Sequence, residues 1–222
     1  MTQEITVLRA SWPDISLRPA DAVRLRGAVA GAAPEADALH NHAGDGFLYR
    51  YPMVQYKVLS GHPAVLAAEE GIDPLLAAIL PLRQMTLGQQ TWDAAHLEIV
   101  RQRETIGDAD RLLYYRFATP WLALNQENYR RWQEADEKSR LVLLQRVLAG
   151  NILSMAKAFA VTIEGFLSPE LDLAPTEVFY KGEQMLAFSG RFAVAARLPE
   201  AFGLGKGAAR GFGCAIPMAD NE

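Results

Sequence analysis

Residues 203–213 have the sequence Gly-Leu-Gly-Lys-Gly-Ala-Ala-Arg-Gly-Phe-Gly, in which five of eleven residues are glycine. Because glycine has no Cβ, the backbone of such a stretch can approach a partner closely and adopt positive φ angles. Successive amide N–H groups can then form a concave nest for anionic oxygens. Lys206 and Arg210 add positive charge suited to phosphate. This stretch, called the glycine segment below, predicts an anion-binding loop.

Two common nucleotide-binding motifs do not fit the glycine segment. A Walker phosphate loop needs Gly-Lys followed by Ser or Thr, whereas Lys206 is followed by Gly207. A dinucleotide-binding fingerprint needs a helix behind the glycines and an acidic residue about 20 positions later. Only nine residues follow Gly213, so that context is missing. A flexible surface loop with no ligand is the plain alternative.

The overall charge of the chain does not favour nucleic-acid binding, but the distribution of its charged residues does. The 222 residues carry 22 Lys and Arg against 26 Asp and Glu, a net charge of −4. Proteins that bind nucleic acid through bulk electrostatics are usually basic. Between Lys181 and Gly213, however, five basic residues stand against two acidic ones. We therefore expect any nucleic-acid site to be a confined basic surface.

The composition is that of an ordinary globular protein, with 50% hydrophobic and 22% charged residues. No apolar run reaches the ~18 residues that a membrane span needs. The amino terminus carries Glu4 and Arg9 and lacks the apolar core of a secretory signal. The single cysteine, Cys214, excludes an internal disulfide and a multi-cysteine zinc site. These features predict a soluble, cytoplasmic protein with no membrane partner.

The second half of the chain combines strands with one long helix. Four of its stretches are rich in strand-forming residues: 112–118, 177–180, 184–195 and 214–217. Lys181-Gly182 separates two of them and is typical of a hairpin turn. Apolar residues at three- and four-residue steps predict an amphipathic helix from Ser139, its expected cap, to Phe159. The order of elements in this half is therefore β-α-β-β followed by a final strand.

The first half shows the same order of elements. Its strand-like stretches are 5–10, 47–59 and 64–68, and its predicted helices are 19–33 and 73–82. Pro52 interrupts the second strand-like stretch, which predicts an edge strand or a bulge there. Residues 39–46 are polar and contain glycine, so we expect a loop.

Two halves with one element order predict an α+β fold of two tandem ferredoxin-like (βαββαβ, RRM-like) domains. We assign residues 1–107 to an N-terminal domain with the histidine-containing loop. Residues 108–222 form a C-terminal domain with the glycine segment. The boundary is placed at Gly107-Asp108-Ala109-Asp110, which is typical of a turn. We expect the two sheets to face each other across a cleft.

Gly203-Leu-Gly, five further residues and Gly211-Phe-Gly match a G-h-G-x5-G-h-G carboxy-terminal signature. In this the chain resembles the CRISPR-associated repeat-processing endoribonucleases of the RAMP superfamily. Other stretches are similar to one subgroup of that family: His40-Asn41-His42, 46–52, Gln55-Tyr56-Lys57 and 148–153. The family fold, a tandem pair of ferredoxin-like domains, agrees with the fold expected from the element order.

The resemblance implies a metal-independent endoribonuclease without a cofactor, which cuts CRISPR repeat RNA, the precursor of crRNA. RNA supplies the ribose 2′-OH as nucleophile, so the products are a 2′,3′-cyclic phosphate and a 5′-OH. Family members use a histidine in this loop, and the subgroup adds a second histidine and a nearby tyrosine. By position these are His40, His42 and Tyr49. Two imidazoles can provide one proton acceptor and one donor near neutral pH.

The resemblance also assigns RNA binding to the glycine segment. The residues concerned are Gly203, Gly205, Lys206, Gly207, Arg210, Gly211 and Gly213. CRISPR repeat RNA is the expected partner; other CRISPR effector proteins and a second copy of the chain, in a homodimer, are candidate partners.

Alternatives to this function stay open at this point. Some relatives keep the glycine loop and bind RNA without cutting it, so a non-catalytic RNA-binding RAMP-type scaffold subunit is the alternative function. His40 and His42 could also lie in an ordinary surface loop, or bind a metal weakly together with Asp37 or Asp45.

Overall fold

The computed structural model describes residues 1–32, 39, 42–43, 46–47 and 51–219, with only the backbone at 42–43 and 46–47. Four α-helices are present in this part of the chain: α1 Ala22–Gly31, α2 Ile72–Ile79, α3 Gln126–Glu134 and α4 Glu137–Ala158. The first strands are β1 Thr2–Ser11, β2 His42–Ala43, β3 Gly46–Phe47, β4 Val54–Leu59, β5 His62–Ala68, β6 Gln84–Leu87 and β7 Gln90–Asp93. The others are β8 Glu98–Phe117, β9 Glu170–Tyr180, β10 Glu183–Arg197 and β11 Ala215–Pro217.

The chain forms two compact units. The N-terminal unit consists of Ile5–Glu104 and Ala209–Gly211. The C-terminal unit consists of Met1–Glu4, Thr105–Ala208 and Phe212–Glu222. Three residues of the glycine segment therefore group with the N-terminal unit, although they lie near the end of the chain.

The N-terminal unit packs α1 and α2 against antiparallel strands in the order β4-β5-β1. Leu25 and Val29 of α1, together with Ile79 of α2, are fully buried, because their spacing places them on one face of each helix. Strand β4 lies at the edge of the sheet, as the proline at position 52, just before it, predicts. Strands β6 and β7 form a separate two-stranded hairpin.

The C-terminal unit has strands in the order β8-β10-β9, with β11 also paired to β8. Its core is aromatic, with stacked or tilted ring pairs formed by Tyr115, Phe117, Trp121, Phe188 and Phe192. Helix α4 buries a stripe of side chains at three- and four-residue steps: Leu144, Leu148, Ile152, Met155 and Ala156.

The hairpin between β9 and β10 turns at the predicted dipeptide. Lys181 and Gly182 have φ angles of 54° and 84°, and Tyr180 pairs directly with Glu183. A two-residue turn with positive φ at both positions matches the twist of the flanking strands. The hairpin prediction is confirmed.

The predicted turn at residues 107–110 is wrong. Strand β8 runs without interruption from Glu98 to Phe117. Gly107 pairs with Arg197 of β10, and the Asp108 N–H donates to the Met1 carbonyl oxygen over 3.1 Å. The backbone polar groups of these residues have partners on both sides of the strand, so the chain continues as a strand and does not turn. The strand pairing also follows one path, β4-β5-β1-β8-β10-β9, and the expectation of two separate sheets is wrong in this respect.

The start of the long helix differs from the prediction. Helix α4 begins at Glu137, and its N-cap is Asp136, whose carboxylate accepts a hydrogen bond of 2.8 Å from the Ser139 N–H. Ser139 is therefore inside the first turn and is not the cap. The preceding helix α3, capped by Asn125, was not predicted, because it has no fully buried residue and hence no apolar stripe.

Helix α4 is long and apolar enough to cross a membrane by length and composition alone. A single helix of this kind is weak evidence for a span, because core helices of soluble proteins pass the same test. The helix buries one stripe of side chains against the fold, while Leu141, Val142 and Leu153 are exposed.

Candidate functional site

The base of the glycine segment, formed by Gly203, Leu204 and Gly213, is held by backbone hydrogen bonds within the C-terminal unit. The Leu204 N–H donates to the Gly213 carbonyl, and the Gly213 N–H donates to the Pro120 carbonyl, both over 2.9 Å. Next to them, the Cys214 N–H donates to Thr119 Oγ1 over 3.0 Å. Gly203, Leu204 and Gly213 are buried. The segment is therefore a built part of the fold and not a loose surface loop.

Glycine is required at the base because no side chain fits. Gly213 has a φ of 63°, and a Cβ on it would lie 2.1 Å from the Leu204 carbonyl oxygen. That oxygen belongs to the backbone and cannot rotate away. The close approach of the two ends of the segment therefore depends on the missing Cβ.

The apex of the segment, residues 205–207, packs at Gly205 against two side chains that are hydrogen-bonded to each other. Trp121 Nε1–H donates to Asn151 Oδ1 over 3.0 Å. A Cβ on Gly205, whose φ is 77°, would lie 2.7 Å from both of those atoms. Asn151 belongs to α4 and Trp121 follows β8, so a helix and a strand end together form the seat of Gly205. Neither residue was predicted from the sequence as part of the site. The sequence feature that could have identified Asn151 is its position as a polar residue in the middle of an apolar helix.

Two lysine side chains lie close to one tyrosine ring beside the apex. Lys206 is exposed, and its Nζ lies 5.5 Å from the centroid of the Tyr180 ring and 3.8 Å from Met185 Sδ. Lys181 Nζ lies 5.8 Å from the same centroid. Phe212 packs edge-on against Tyr180, with ring centroids 5.3 Å apart. Two ammonium groups thus flank one buried aromatic ring. Lys181 was predicted from the sequence as a turn residue and as one of five basic residues, but not as part of the site.

The backbone at the apex adds donors to this charge. Gly205 and Gly207 both have a φ of 77°, and within the described part of the chain their amides donate to no protein acceptor. Arg210 closes a short 3-10 turn at Ala208–Arg210 and is half-buried. Positive-φ glycines next to a lysine form a concave surface that suits an anionic oxygen such as that of a phosphate.

The far side of the segment contacts the N-terminal unit's own elements. Gly211 has a φ of 92°, and a Cβ on it would lie 2.6 Å from Ala22 Cβ and 3.5 Å from the Tyr56 carbonyl oxygen. The Tyr56 hydroxyl donates to the Leu39 carbonyl over 3.1 Å. Burial raises the pKa of Tyr56, so the hydroxyl stays a donor. Tyr56 therefore has its backbone beside Gly211 and its hydroxyl on Leu39, the residue that precedes His40 in the sequence.

The predicted catalytic residues His40 and Tyr49 lie outside the described residues, as do Asp37 and Asp45. For His42 only the backbone is described: it pairs with Phe47 across the short strands β2 and β3. The stretch that was predicted as a loop therefore includes a small antiparallel pair.

The two other histidines have local partners. His62 Nδ1 lies 3.0 Å from the Ile15 carbonyl oxygen. His96 Nδ1 lies 2.7 Å from Asp14 Oδ2, and this hydrogen bond raises the pKa of His96. Among the residues that the structure describes, no three His, Cys, Asp or Glu side chains are grouped as metal ligands would be.

Models of known families match nearly all of the chain. The Cas6b N-terminal domain matches residues 3–105, and the Cas6b C-terminal domain matches residues 107–218. The chain belongs to the Cas6b family. The resemblance to the family of CRISPR-associated repeat-processing endoribonucleases is thereby confirmed.

Solved structures agree with this family. A crystal structure of Cas6b has a TM-score of 0.93 at 31% identity, covering 97% of this chain and 100% of that one. A crystal structure of the CRISPR RNA processing endoribonuclease Cas6b has a TM-score of 0.79 at 28% identity, with coverage of 97% and 100%. The uncharacterized protein MJ0978 of Methanocaldococcus jannaschii is 34% identical over 143 residues, 64% of this chain and 97% of that protein. The predicted α+β class with tandem ferredoxin-like domains is confirmed.

Proposed function

We propose that the protein is a metal-independent endoribonuclease that cuts CRISPR repeat RNA within the repeat. Its membership of the Cas6b family supports this, together with its similarity to a CRISPR RNA processing endoribonuclease. The observation that carries the proposal is the glycine segment, which exposes Lys206 and positive-φ glycines on a base held by backbone hydrogen bonds. A backbone cradle beside a lysine suits the phosphates of an RNA strand.

In this proposal the glycine segment holds the RNA and does not itself react. Lys206, Arg210 and the amides around Gly205 and Gly207 contact phosphate oxygens, which fixes the register of the strand. Gly203, Gly211 and Gly213 keep the backbone close to its supports, so that the cradle does not have to be ordered when RNA binds.

The reaction is a transesterification within the RNA. The ribose 2′-oxygen attacks the adjacent phosphorus, the new O2′–P bond forms, and the bond from phosphorus to the 5′-oxygen of the next nucleotide breaks. One imidazole of the pair His40 and His42 accepts the 2′-OH proton, and the other donates a proton to the leaving 5′-oxygen. Tyr49 is the third proposed catalytic residue, placed by resemblance to the family.

The reaction can be tested with the wild-type protein and a repeat RNA in EDTA. We expect cleavage to proceed and to leave a 2′,3′-cyclic phosphate and a 5′-OH. A single 2′-deoxy nucleotide immediately before the scissile phosphate should abolish cleavage while binding stays intact. His40→Ala and His42→Ala should each slow single-turnover cleavage by roughly 10²–10⁴-fold, the usual effect of removing a general acid or base.

Two outcomes would overturn the mechanism. A strict requirement for Mg²⁺ or Mn²⁺, or full activity in the His40→Ala/His42→Ala double variant, would place the chemistry on other groups. Tight binding of repeat RNA with no cleavage by the wild-type protein would instead favour a non-catalytic scaffold.

A further inference from the structure

A concave pocket of ≈ 370 Å³ lies in the N-terminal unit, between the start of α1 and the β6–β7 hairpin. It is lined by Arg18, Arg24, Gln90 and Trp92, among others. No role was assigned to these residues from the sequence. We call it the arginine–tryptophan pocket.

The two arginines are held by one buried carboxylate. Asp21 is only 8% exposed, and its Oδ1 accepts a hydrogen bond of 3.0 Å from Arg24 Nη1. Its Oδ2 lies 3.6 Å from Arg18 Nε and accepts a bond of 3.1 Å from the Arg18 backbone N–H. Both arginine side chains stay largely exposed, at 82% and 59%. One carboxylate against two guanidinium groups leaves a net positive charge at the mouth of the pocket.

Trp92 provides an aromatic wall. It pairs with Met85 across the β6–β7 hairpin, and it is partly buried against the core of the unit. The indole is therefore fixed by packing on one side while it lines the pocket on the other. The exposed Gln90 amide, two residues earlier on β7, adds hydrogen-bonding capacity suited to the edge of a base.

The pocket lies in the same unit as residues 209–211 of the glycine segment. Ala22, the first residue of α1, is the residue that a Cβ on Gly211 would touch at 2.6 Å. Asp21 and Arg24 stand on either side of Ala22 in the sequence. The residue that packs beside Gly211 is therefore flanked in the sequence by the residues that line the pocket.

We propose that the arginine–tryptophan pocket binds one nucleotide of the same single-stranded RNA that the glycine segment binds. The base stacks on Trp92, and Arg18 and Arg24 contact the adjoining phosphates. Cationic side chains combined with an aromatic platform are the usual means of binding single-stranded nucleic acid. This inference rests on the proposed function, because it extends the RNA path of that same site.

The stacking contact is tested by an abasic scan. A repeat RNA made uncleavable by one 2′-deoxy nucleotide is prepared with single abasic positions, and its dissociation constant is measured. Trp92→Leu should weaken binding by roughly 5- to 100-fold, as expected for loss of one base–aromatic stack. Trp92→Phe should retain most of the affinity. One abasic position should weaken binding to wild type and have no effect on Trp92→Leu.

The phosphate contacts are tested by salt dependence. Arg24→Ala should lower the slope of log K against log salt by about 0.7, the value for one phosphate contact on a single strand. Arg101→Ala is the matched control, because it removes the same charge from an exposed position on β8. Thermal unfolding midpoints close to wild type show that the variants are folded.

The outcomes separate this inference from the proposed function. If wild type neither binds nor cuts repeat RNA, the proposed function fails, and the inference fails with it. If wild type is active while Arg24→Ala matches Arg101→Ala, and every abasic position acts equally on wild type and Trp92→Leu, only the inference is overturned. If Trp92→Leu does not fold, the salt dependence of RNA binding by Arg24→Ala decides whether the inference holds. The Arg24 side chain is exposed and lies outside the core, so this variant is expected to fold.

Discussion

The base and the apex of the glycine segment use glycine for different reasons. At the base, Gly213 lies so close to the Leu204 carbonyl that a Cβ would be 2.1 Å from its oxygen, and the closest atoms are all backbone. At the apex, Gly205 meets side-chain atoms of Trp121 and Asn151, and the neighbouring Lys206 is exposed. The comparison teaches that glycine at the base is needed for backbone packing, whereas the apex is the exposed part that we propose to bind RNA.

The two apolar residues of the G-h-G-x5-G-h-G pattern follow the same division. Leu204 at the base is fully buried, while Phe212 is half-buried and packs edge-on against Tyr180 beside Lys206. One signature thus joins a structural anchor to an aromatic support for the charged site.

The largest expected effect is on the base. Gly213→Ala should lower the free energy of unfolding by roughly 2–6 kcal/mol, from a strained positive φ and a clash in a packed region, each about 1–3 kcal/mol. The measurement is equilibrium denaturation. Gly182→Ala is the control, because Gly182 also has a positive φ, 84°, but has nothing within 4 Å of its added Cβ. Equal losses in the two variants would contradict the role of the Leu204 contact.

A smaller effect is expected at the support of the apex. Asn151→Ala removes the acceptor of the Trp121 indole N–H, and an unsatisfied buried donor costs about 1–3 kcal/mol. RNA affinity should fall too, because Gly205 loses part of its seat. Asn151→Asp keeps an acceptor and should recover most of the stability, while Ser154→Ala, at an exposed position of the same helix, should be neutral. Unchanged stability of Asn151→Ala would show that the apex is held by other contacts.

The smallest effect on stability is expected at the apex itself. Lys206→Ala should leave the denaturation midpoint unchanged, because the side chain is exposed, yet reduce the salt slope of RNA binding by about 0.7. Lys138→Ala, at an exposed position of α4, serves as the matched loss of charge. If both variants change the salt slope equally, Lys206 contributes only to the net charge of the protein. The proposed role of the apex in binding RNA would then be contradicted.

Sequence reasoning succeeded where the information is local. The β9–β10 turn follows from Lys181-Gly182, and α4 follows from its apolar stripe, because backbone preference and helical period are set within a few residues. It failed at Gly107–Asp110, where a turn-like composition lies inside β8. Pairing with β10 and with the start of the chain overrides local preference there.

The sequence by itself determined the glycine spacing, the charge at Lys206 and the resemblance that placed the chain in its family. Only the tertiary structure decided what supports the segment: Asn151 and Trp121 beneath Gly205, and Ala22 beside Gly211. It alone brought Arg18, Arg24 and Trp92 around one pocket. The physical reason is that spacing and φ preference are properties of neighbouring residues. Packing joins residues far apart in the chain, and no local pattern encodes such contacts.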